Sequence, residues 1–217
     1  MSRESDIVFV VDDDFRVRES LADLFASKNL DCTVFASAAE YLQFGPPRGP
    51  SCLVLDVSLP DINGLELQSS MARTDHPPIV FISGHGDVPS SVRAMKAGAI
   101  DFLTKPWKDK DLLHAVHQAI EQDRQQRKVR AELKELEGRL DTLTPREREV
   151  LPLVARGLLN KQAAAQLGIS EVTLQIHRSR IMQKMKANSL ADLVRMAAKL
   201  DIEEQHLAGG SSHSKIK

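Results

Sequence analysis

The sequence has few cysteines and no long hydrophobic segment, and each absence excludes a class of protein. Cys32 and Cys52 are the only two cysteines, which excludes a disulfide scaffold and a four-cysteine zinc site. Both lie in apolar, strand-like segments, so we expect buried structural thiols rather than redox-active groups. No run of about 18 apolar residues occurs, which excludes a transmembrane helix.

The N-terminal sequence MSRESDIVFVVDDD lacks a basic segment followed by an apolar stretch of signal-peptide length. We therefore expect a cytoplasmic protein that is not exported and does not contact a membrane. Of its 217 residues, 42% are hydrophobic and 27% are charged, which is typical of a globular protein. A chain of this length favours two domains over one.

The net charge of −1 hides a strong asymmetry along the chain. Residues 1–123 contain 11 Lys and Arg against 19 Asp and Glu, a balance of −8, whereas residues 124–199 contain 16 against 8, a balance of +8. An acidic half joined to a basic half indicates that the basic half meets a polyanion such as nucleic acid. Two solvated surfaces of opposite sign are the alternative.

The first half alternates short apolar segments with segments of helical periodicity. Continuous apolar strands that alternate with helices are typical of a parallel sheet covered by helices on both faces. We therefore predict a doubly wound α/β domain with five strands. The predicted strands lie at 7–11, 32–35, 52–55, 79–82 and 99–104.

Polar side chains follow four of these predicted strands. Asp12 and Asp13 follow the first, Asp56 ends the third, Ser83 ends the fourth and Lys105 follows the fifth. The carboxyl ends of parallel strands meet at one edge of the sheet, which is where such folds bind ligands. Carboxylates gathered there repel one another unless a cation neutralises them, and Mg²⁺ is a natural partner. A carboxylate, a hydroxyl, a lysine and Mg²⁺ together suit phosphoryl transfer to a carboxylate nucleophile.

A long helix is predicted between the two halves. Residues 109–140 contain no proline, and apolar residues recur there at 4-3-4-3 spacing. The repeat lasts only two heptads, which is too short to indicate a coiled coil. We predict a helix that leaves the first domain as a linker, and a helix that packs on its own domain remains the alternative. The repeat consists of Val129, Leu133, Leu136, Leu140 and Leu143.

The basic half contains the helix caps and turns that are typical of a helical domain. Thr144 opens a capping box with Pro145 at the first helical position, so a new helix begins there. Two further helices, 161–167 and 171–186, are separated by a three-residue turn that contains Gly168, and this arrangement fits a helix-turn-helix. A last helix begins near Ser189 and ends near residue 202. The Gly- and Ser-rich residues 203–217 are predicted to be disordered.

The helix 171–186 divides into two faces. Leu174, His177, Ile181 and Met185 share one face, and a recognition helix needs such a face to anchor it in its domain. The opposite face can then offer donors to phosphates and base edges. A surface helix of an ordinary bundle is the alternative. The residues of the opposite face are Gln175, Arg178, Ser179, Met182 and Lys186.

Four motifs of the first half resemble the receiver domain of bacterial two-component response regulators. They are VVDDD (10–14), LVLDVSLPDINGLEL (53–67), FISGHGDV (81–88) and FLTKPW (102–107). The resemblance implies a flavodoxin-like fold, with Asp56 as the phosphoacceptor.

The same resemblance implies roles for the other residues of this edge. Asp12 and Asp13 match the acidic pair that holds Mg²⁺ together with Asp56, and Ser58 matches the position whose backbone carbonyl is a metal ligand. Ser83 matches the switch hydroxyl that contacts the phosphoryl group. Lys105 matches the lysine that pairs with that group and precedes a cis-proline. Phe102 matches the switch aromatic residue, and an ordinary core residue is the alternative interpretation.

Residues 144–200 resemble the LuxR-type helix-turn-helix domain through LTPREREVL (143–151), ARGLLNKQAAAQLGIS (155–170) and VTLQIHRSRIMQKM (172–185). Gln175 replaces the family's usual lysine, and glutamine favours adenine where lysine favours guanine. His177 is also explained as a residue that only supports its helix. The resemblance implies a DNA-contact surface of Lys161, Thr173, Gln175, His177, Arg178, Ser179 and Lys184.

The two resemblances together imply a response regulator of the FixJ/NarL type, most similar to the FixJ and StyR group. We expect a receiver domain at 1–123, a helical linker at 124–142 and an all-α, four-helix DNA-binding domain at 143–202. The implied partners are a sensor histidine kinase, double-stranded DNA, a second copy of the chain after phosphorylation, and RNA polymerase. No enzymatic activity is expected.

Two alternatives belong to other classes. The first is a phosphohydrolase that uses an aspartyl phosphate, but such enzymes usually carry a second carboxylate where this chain has Ser58. The second is a DNA-binding protein that is controlled by dimerisation without phosphorylation. Stable 1:1 incorporation of phosphate at Asp56, with no turnover of phosphomonoesters, would distinguish the response regulator from both alternatives.

Overall fold

The computed structural model describes residues 5–72, 74–84 and 86–202. The predicted disordered tail at 203–217 lies outside the described residues. The chain divides into two compact units, Met1–Lys128 and Val129–Lys217. No helix in the described part of the chain is both long and apolar enough to cross a membrane.

The first unit is the predicted doubly wound α/β domain. Five parallel strands form one sheet in the order β2-β1-β3-β4-β5, which confirms the flavodoxin-like topology. The strands are β1 (Ile7–Val11), β2 (Asp31–Phe35), β3 (Ser51–Asp56), β4 (Ile79–Ser83) and β5 (Asp101–Thr104). The helices are α1 (Phe15–Ala26), α2 (Ala38–Phe44), α3 (Gly64–Met71), α4 (Val88–Lys96) and α5 (Asp109–Asp141).

The sheet is buried on both faces because its strands alternate between two cores. Phe9, Leu53 and Phe81 pack in one core, whereas their neighbours along the strands pack in the other with the first turns of α5. Every residue of β3 and β4 is buried. Strands buried on both faces read as continuous apolar runs, which is why the sequence pattern predicted them.

Both cysteines lie in this sheet. Cys52 is fully buried in β3, and Cys32 is half-buried in β2. Burial raises the pKa of the Cys32 thiol to about 11 and that of Cys52 further still. Both thiols are therefore protonated at neutral pH, and the thiolate is the form that reacts.

The strand register brings the carboxyl ends of the central strands together. Leu55 is level with Val11, so Asp12 and Asp56 lie side by side just beyond them. Ser83 is level with Thr104, which places Lys105 at the same edge. A Cβ atom on Gly64 would come within 2.4 Å of the Asp56 carbonyl oxygen, so glycine is needed where α3 begins against β3.

Helix α5 runs without interruption through the predicted linker region, since it spans Asp109–Asp141. In the first unit its early turns pack in the core, and Asp123 is buried and accepts a hydrogen bond from the Ser51 backbone N–H at 2.8 Å. In the second unit Leu140 and Leu143 contact the core, whereas Val129 is exposed. The 4-3-4-3 repeat is therefore in part a core-packing pattern of the second unit.

In its described part, which ends at residue 202, the second unit continues with four helices, and this confirms the all-α prediction. They are α6 (Pro145–Ala155), α7 (Asn160–Leu167), α8 (Glu171–Met185) and α9 (Leu190–Lys199). Thr144 forms the predicted capping box with Glu147, and Ser170 and Ser189 cap α8 and α9. Gly168 ends α7 in the left-handed conformation, with φ of 63°, where a residue with a Cβ atom would be strained.

Candidate functional site

One lysine forms ion pairs with two buried carboxylates at the edge of the sheet. The Lys105 Nζ atom lies 2.7 Å from Asp12 Oδ2 and 3.0 Å from Asp56 Oδ1. Asp12 is fully buried, and only 3% of the Asp56 surface is exposed. Two carboxylates at this depth repel each other strongly, and the ammonium between them offsets that repulsion.

The two oxygens of Asp56 have different environments. Oδ2 accepts a hydrogen bond of 2.9 Å from the Ser58 backbone N–H. Oδ1 is buried, and its contact within the described ranges is the ion pair with the Lys105 ammonium at 3.0 Å. The Lys105 ammonium offsets the charge of this oxygen, which makes fewer contacts than buried carboxylate oxygens usually do.

The ionisation of the site follows from burial and from this ion pair. Burial raises the pKa of Asp12, and the hydrogen bond from Lys105 only partly opposes that effect. Burial lowers the pKa of Lys105, but Asp12 and Asp56 outweigh it, so that pKa lies above its ordinary value. Lys105 is therefore charged at neutral pH and available to a phosphoryl group.

The other predicted residues of this edge lie at different depths. Ser83 is buried at the end of β4, and its carbonyl accepts a hydrogen bond of 2.8 Å from the Lys105 N–H. Phe102 is half-buried, with its ring centroid 6.1 Å from that of Phe81. The peptide bond between Lys105 and Pro106 is cis, as the resemblance implied.

Asp13 lies at the surface of this edge. It is exposed beside the buried Asp12, and among the residues with described positions no three acidic, histidine or cysteine side chains are grouped as metal ligands. The structure thus brings Asp12, Asp56 and Lys105 together. A role for Asp13 in metal binding stays a prediction.

The second unit contains a helix-turn-helix with one exposed helix face. Helix α8 buries Leu174, Ile181 and Met185 in the core of the unit. The opposite face is exposed at positions spaced i, i+3, i+4 and i+7, which align on one side of a helix. These residues are Val172, Gln175, Ile176 and Ser179.

Both units match known families. The family described as "Response regulator receiver domain" matches residues 8–117, and "Bacterial regulatory proteins, luxR family" matches residues 141–197. Nodulation protein W of Bradyrhizobium diazoefficiens is 52% identical over 201 residues, which cover 92% of this chain and 88% of that protein. The chain belongs to the response regulators that carry a LuxR-type DNA-binding domain.

Two solved response regulators have similar structures. The structure titled "Low Resolution Structure of Response Regulator StyR" is 46% identical, with a TM-score of 0.79 over 90% of this chain and 99% of that one. A full-length FixJ from B. japonicum is 39% identical, with a TM-score of 0.54 over 90% of this chain and 97% of that one. The family is one of transcriptional regulators and not of enzymes, as predicted.

The predicted DNA-contact residues of the LuxR-type domain differ in how free their side chains are. Lys161, Gln175 and Ser179 are exposed. Thr173 is half-buried, and its hydroxyl is 2.8 Å from that of Ser170 at the start of α8. Arg178 donates a hydrogen bond of 3.0 Å to the Asn160 side chain, so its guanidinium is partly engaged within the domain.

Lys184 has an internal partner that the sequence pattern did not indicate. Its ammonium lies 2.7 Å from the carboxylate of Glu147 and donates to the Thr142 carbonyl at 3.0 Å. Glu147 is only 1% exposed. Burial raises the pKa of Glu147, but Lys184 and Thr144 outweigh it, so that pKa lies below its ordinary value. This placement favours a structural role for Lys184 over the predicted DNA contact.

His177 is half-buried, and its Nδ1 atom is buried without a hydrogen-bond partner in the part of the chain that is described. The imidazole therefore turns at least one nitrogen towards the interior of the domain. This placement supports the interpretation of His177 as a residue that supports its helix.

Two apolar members of the exposed face were not predicted from the sequence. Val172 is 71% exposed and Ile176 is 48% exposed. The predicted opposite face consisted of Gln175, Arg178, Ser179, Met182 and Lys186 and did not include this pair, whereas Met182 packs against the core of the unit. The i, i+4 spacing of Val172 and Ile176 beside Gln175 was the signal available in the sequence.

Proposed function

We propose that a sensor histidine kinase phosphorylates this response regulator on Asp56, and that phosphorylation promotes dimerisation and binding to double-stranded DNA. The observation that carries the proposal is the buried Asp56 Oδ1 atom, which accepts no hydrogen bond from any described residue and lies 3.0 Å from the Lys105 ammonium. A carboxylate nucleophile needs a free oxygen and a nearby positive charge to stabilise the entering phosphoryl group.

The reaction transfers a phosphoryl group from a phosphohistidine of the kinase. A carboxylate oxygen of Asp56 forms a bond to phosphorus while the bond from phosphorus to the imidazole nitrogen breaks, and the imidazole leaves with the bonding electrons. Lys105 offsets the negative charge of the phosphoryl oxygens, and the Ser83 hydroxyl donates a hydrogen bond to one of them.

The acidic edge fits a Mg²⁺ ion because it offers hard oxygen donors, one of which has no hydrogen bond to the part of the chain that the structure describes. Asp12, Asp13, Asp56 and the backbone carbonyl of Ser58 would hold the ion. When bound, Mg²⁺ neutralises charge on the oxygens of Asp56 and of the phosphoryl group.

Two of the proposed switch residues, Ser83 and Lys105, are joined by a backbone hydrogen bond at the ends of β4 and β5. The Lys105 N–H donates to the Ser83 carbonyl, so movement of one towards the phosphoryl group affects the other. Phe102 lies three residues before Lys105, on β5. The proposed switch is an inward turn of the Phe102 ring when Ser83 and Lys105 contact the phosphoryl group.

An apolar stripe on α4 supports dimerisation through the face formed by α4, β5 and α5. Val88, Val92 and Met95 are 74%, 44% and 46% exposed, and their i, i+4, i+7 spacing places them on one side of α4. A contiguous exposed apolar stripe of this kind typically marks a protein interface. A dimer would bring two basic domains to two DNA half-sites.

The DNA contacts are proposed to come from α8 and the start of α7. Gln175 and Ser179 would reach base edges, and Lys161 would contact a phosphate, because all three side chains are exposed. Thr173, His177 and Arg178 would lie at the margin of this surface. The DNA-bound dimer would act on RNA polymerase in the cytoplasm.

Labelling with radioactive acetyl phosphate tests the acceptor. We expect Mg²⁺-dependent incorporation of one phosphate per chain, which Asp56→Asn abolishes and the exposed control Asp23→Asn does not change. Incorporation that persists in Asp56→Asn would show that the acceptor is another residue. If Asp56→Asn dimerises and binds DNA as well as the phosphorylated wild type, control by dimerisation alone is the better explanation.

A further inference from the structure

Helix α8 exposes two branched apolar side chains one turn apart. Val172 is 71% exposed and Ile176 is 48% exposed, although the helix already buries Leu174, Ile181 and Met185 in the core. Neither Val172 nor Ile176 is therefore needed to anchor the helix. Valine and isoleucine are also weaker helix formers than alanine or leucine, so helix propensity does not explain them.

Single exposed apolar residues are common on protein surfaces. The position of this pair makes it different, because Val172 and Ile176 flank Gln175 on the face that also carries Ser179. This face is the one that the proposed function directs at DNA. The apolar pair thus lies among the side chains that would meet base edges.

The major groove presents one apolar feature, the C5 methyl group of thymine. We infer that Val172 and Ile176 select thymine in the DNA half-site by contacting C5 methyl groups. The inference rests on the proposed function, since it requires that α8 enters the major groove.

The spacing of the pair predicts the spacing of the thymines. Four residues of α-helix rise about 6 Å, which is close to two base-pair steps of about 3.4 Å each. A helix that lies along the groove would therefore place the two methyl groups about two steps apart. Gln175 lies between them on the helix, and its amide favours adenine in the major groove.

The test removes single methyl groups from the DNA. Duplexes that bind the full-length, acetyl-phosphate-treated protein are selected from a random pool, and each thymine is then replaced in turn by deoxyuridine. At two positions we expect binding to weaken about fourfold, because burial of one carbon group contributes about 0.8 kcal/mol. Elsewhere in the half-site we expect no change.

Variants assign each methyl group to a side chain. Val172→Ala should abolish the effect of deoxyuridine at one of the two positions and Ile176→Ala at the other. The control Leu42→Ala, which truncates a side chain that is 56% exposed in the receiver domain, should leave both effects unchanged.

Three outcomes would overturn the inference. If no thymine responds to deoxyuridine, or if the alanine variants respond as the wild type does, Val172 and Ile176 do not read methyl groups, and DNA binding through α8 still stands. If no duplex is selected even at low salt, the proposed DNA binding fails as well.

Discussion

Replacement of Lys184 by methionine decides between two roles for this lysine. The resemblance to LuxR-type domains implied a DNA contact, whereas the structure pairs the Lys184 ammonium with the buried carboxylate of Glu147 at 2.7 Å. Methionine keeps much of the length and apolar contact of the side chain and removes the charge. The variant therefore removes the ion pair together with the hydrogen bond of 3.0 Å to the Thr142 carbonyl.

The expected cost follows from the burial of the two partners. Breaking a fully buried ion pair by removing one partner costs about 3–5 kcal/mol, and an exposed pair contributes about 0–1 kcal/mol. Glu147 is almost fully buried, but the Lys184 side chain is 32% exposed. Glu147 also keeps its hydrogen bond of 2.8 Å from the Thr144 N–H. We expect Lys184→Met to lower the free energy of unfolding of the DNA-binding unit by about 2 kcal/mol, a value between those for an exposed and for a fully buried ion pair.

Thermal unfolding of a fragment that spans residues 129–202 measures this change. A loss of about 2 kcal/mol lowers the Tm of a domain of this size by about 8–16 °C. Glu147→Gln combined with Lys184→Met should be more stable than the sum of the two single changes predicts, because the double variant leaves no unpaired buried charge.

DNA titration at several salt concentrations is the second measurement. If Lys184 only stabilises the fold, the dependence of affinity on salt should be unchanged at temperatures where the variant is folded. A variant with wild-type Tm and a salt slope reduced by about 1 would refute the structural role. Lys184 would then be the DNA contact that the resemblance implied.

Three further predictions concern the DNA-binding half. A fragment of about 140–205 should bind DNA without phosphorylation and lose affinity steeply with salt, because counterion release drives such binding; electrophoretic titration that finds no binding at low salt would contradict it. Gln175→Ala should cost about 1–3 kcal/mol on the selected duplex and much less on scrambled DNA, and an equal loss on both would leave Gln175 only a phosphate contact. Because the pKa of Glu147 is lowered in the folded state, its ionisation stabilises the fold at pH values above the ordinary pKa of 4.5. That stability is lost as the pH falls through the lower folded-state pKa. Acid unfolding monitored by circular dichroism should therefore show a weaker pH dependence in Glu147→Gln.

Much of the fold could be predicted from the sequence because its signals are local. The apolar runs that form β1, β3 and β4 are continuous because both faces of the sheet are covered. Each run is followed at once by a polar residue, namely Asp12, Asp56 or Ser83. The caps of the helical domain are also local, since Ser170 and Ser189 each bond a backbone N–H only three residues later. Motif resemblance then implied the functional roles.

Neighbouring residues could not be distinguished in this way. Asp12 and Asp13 follow the same strand, yet Asp12 is fully buried beside Lys105 and Asp13 is exposed. Which of two adjacent carboxylates turns inward depends on the chain that covers them. Lys105, the partner of Asp12, lies 93 residues away.

The sequence by itself determined the two-domain order, the alternation of strands and helices and the strand-end positions of Asp56, Ser83 and Lys105, because periodicity and caps act over a few residues. The order of the strands was implied only by the resemblance to receiver domains. Only the tertiary structure decided that Lys184 pairs with Glu147, 37 residues distant, and that Val172 and Ile176 face away from the core. Helical periodicity shows which residues share a face. What that face meets is decided by the packing of distant segments.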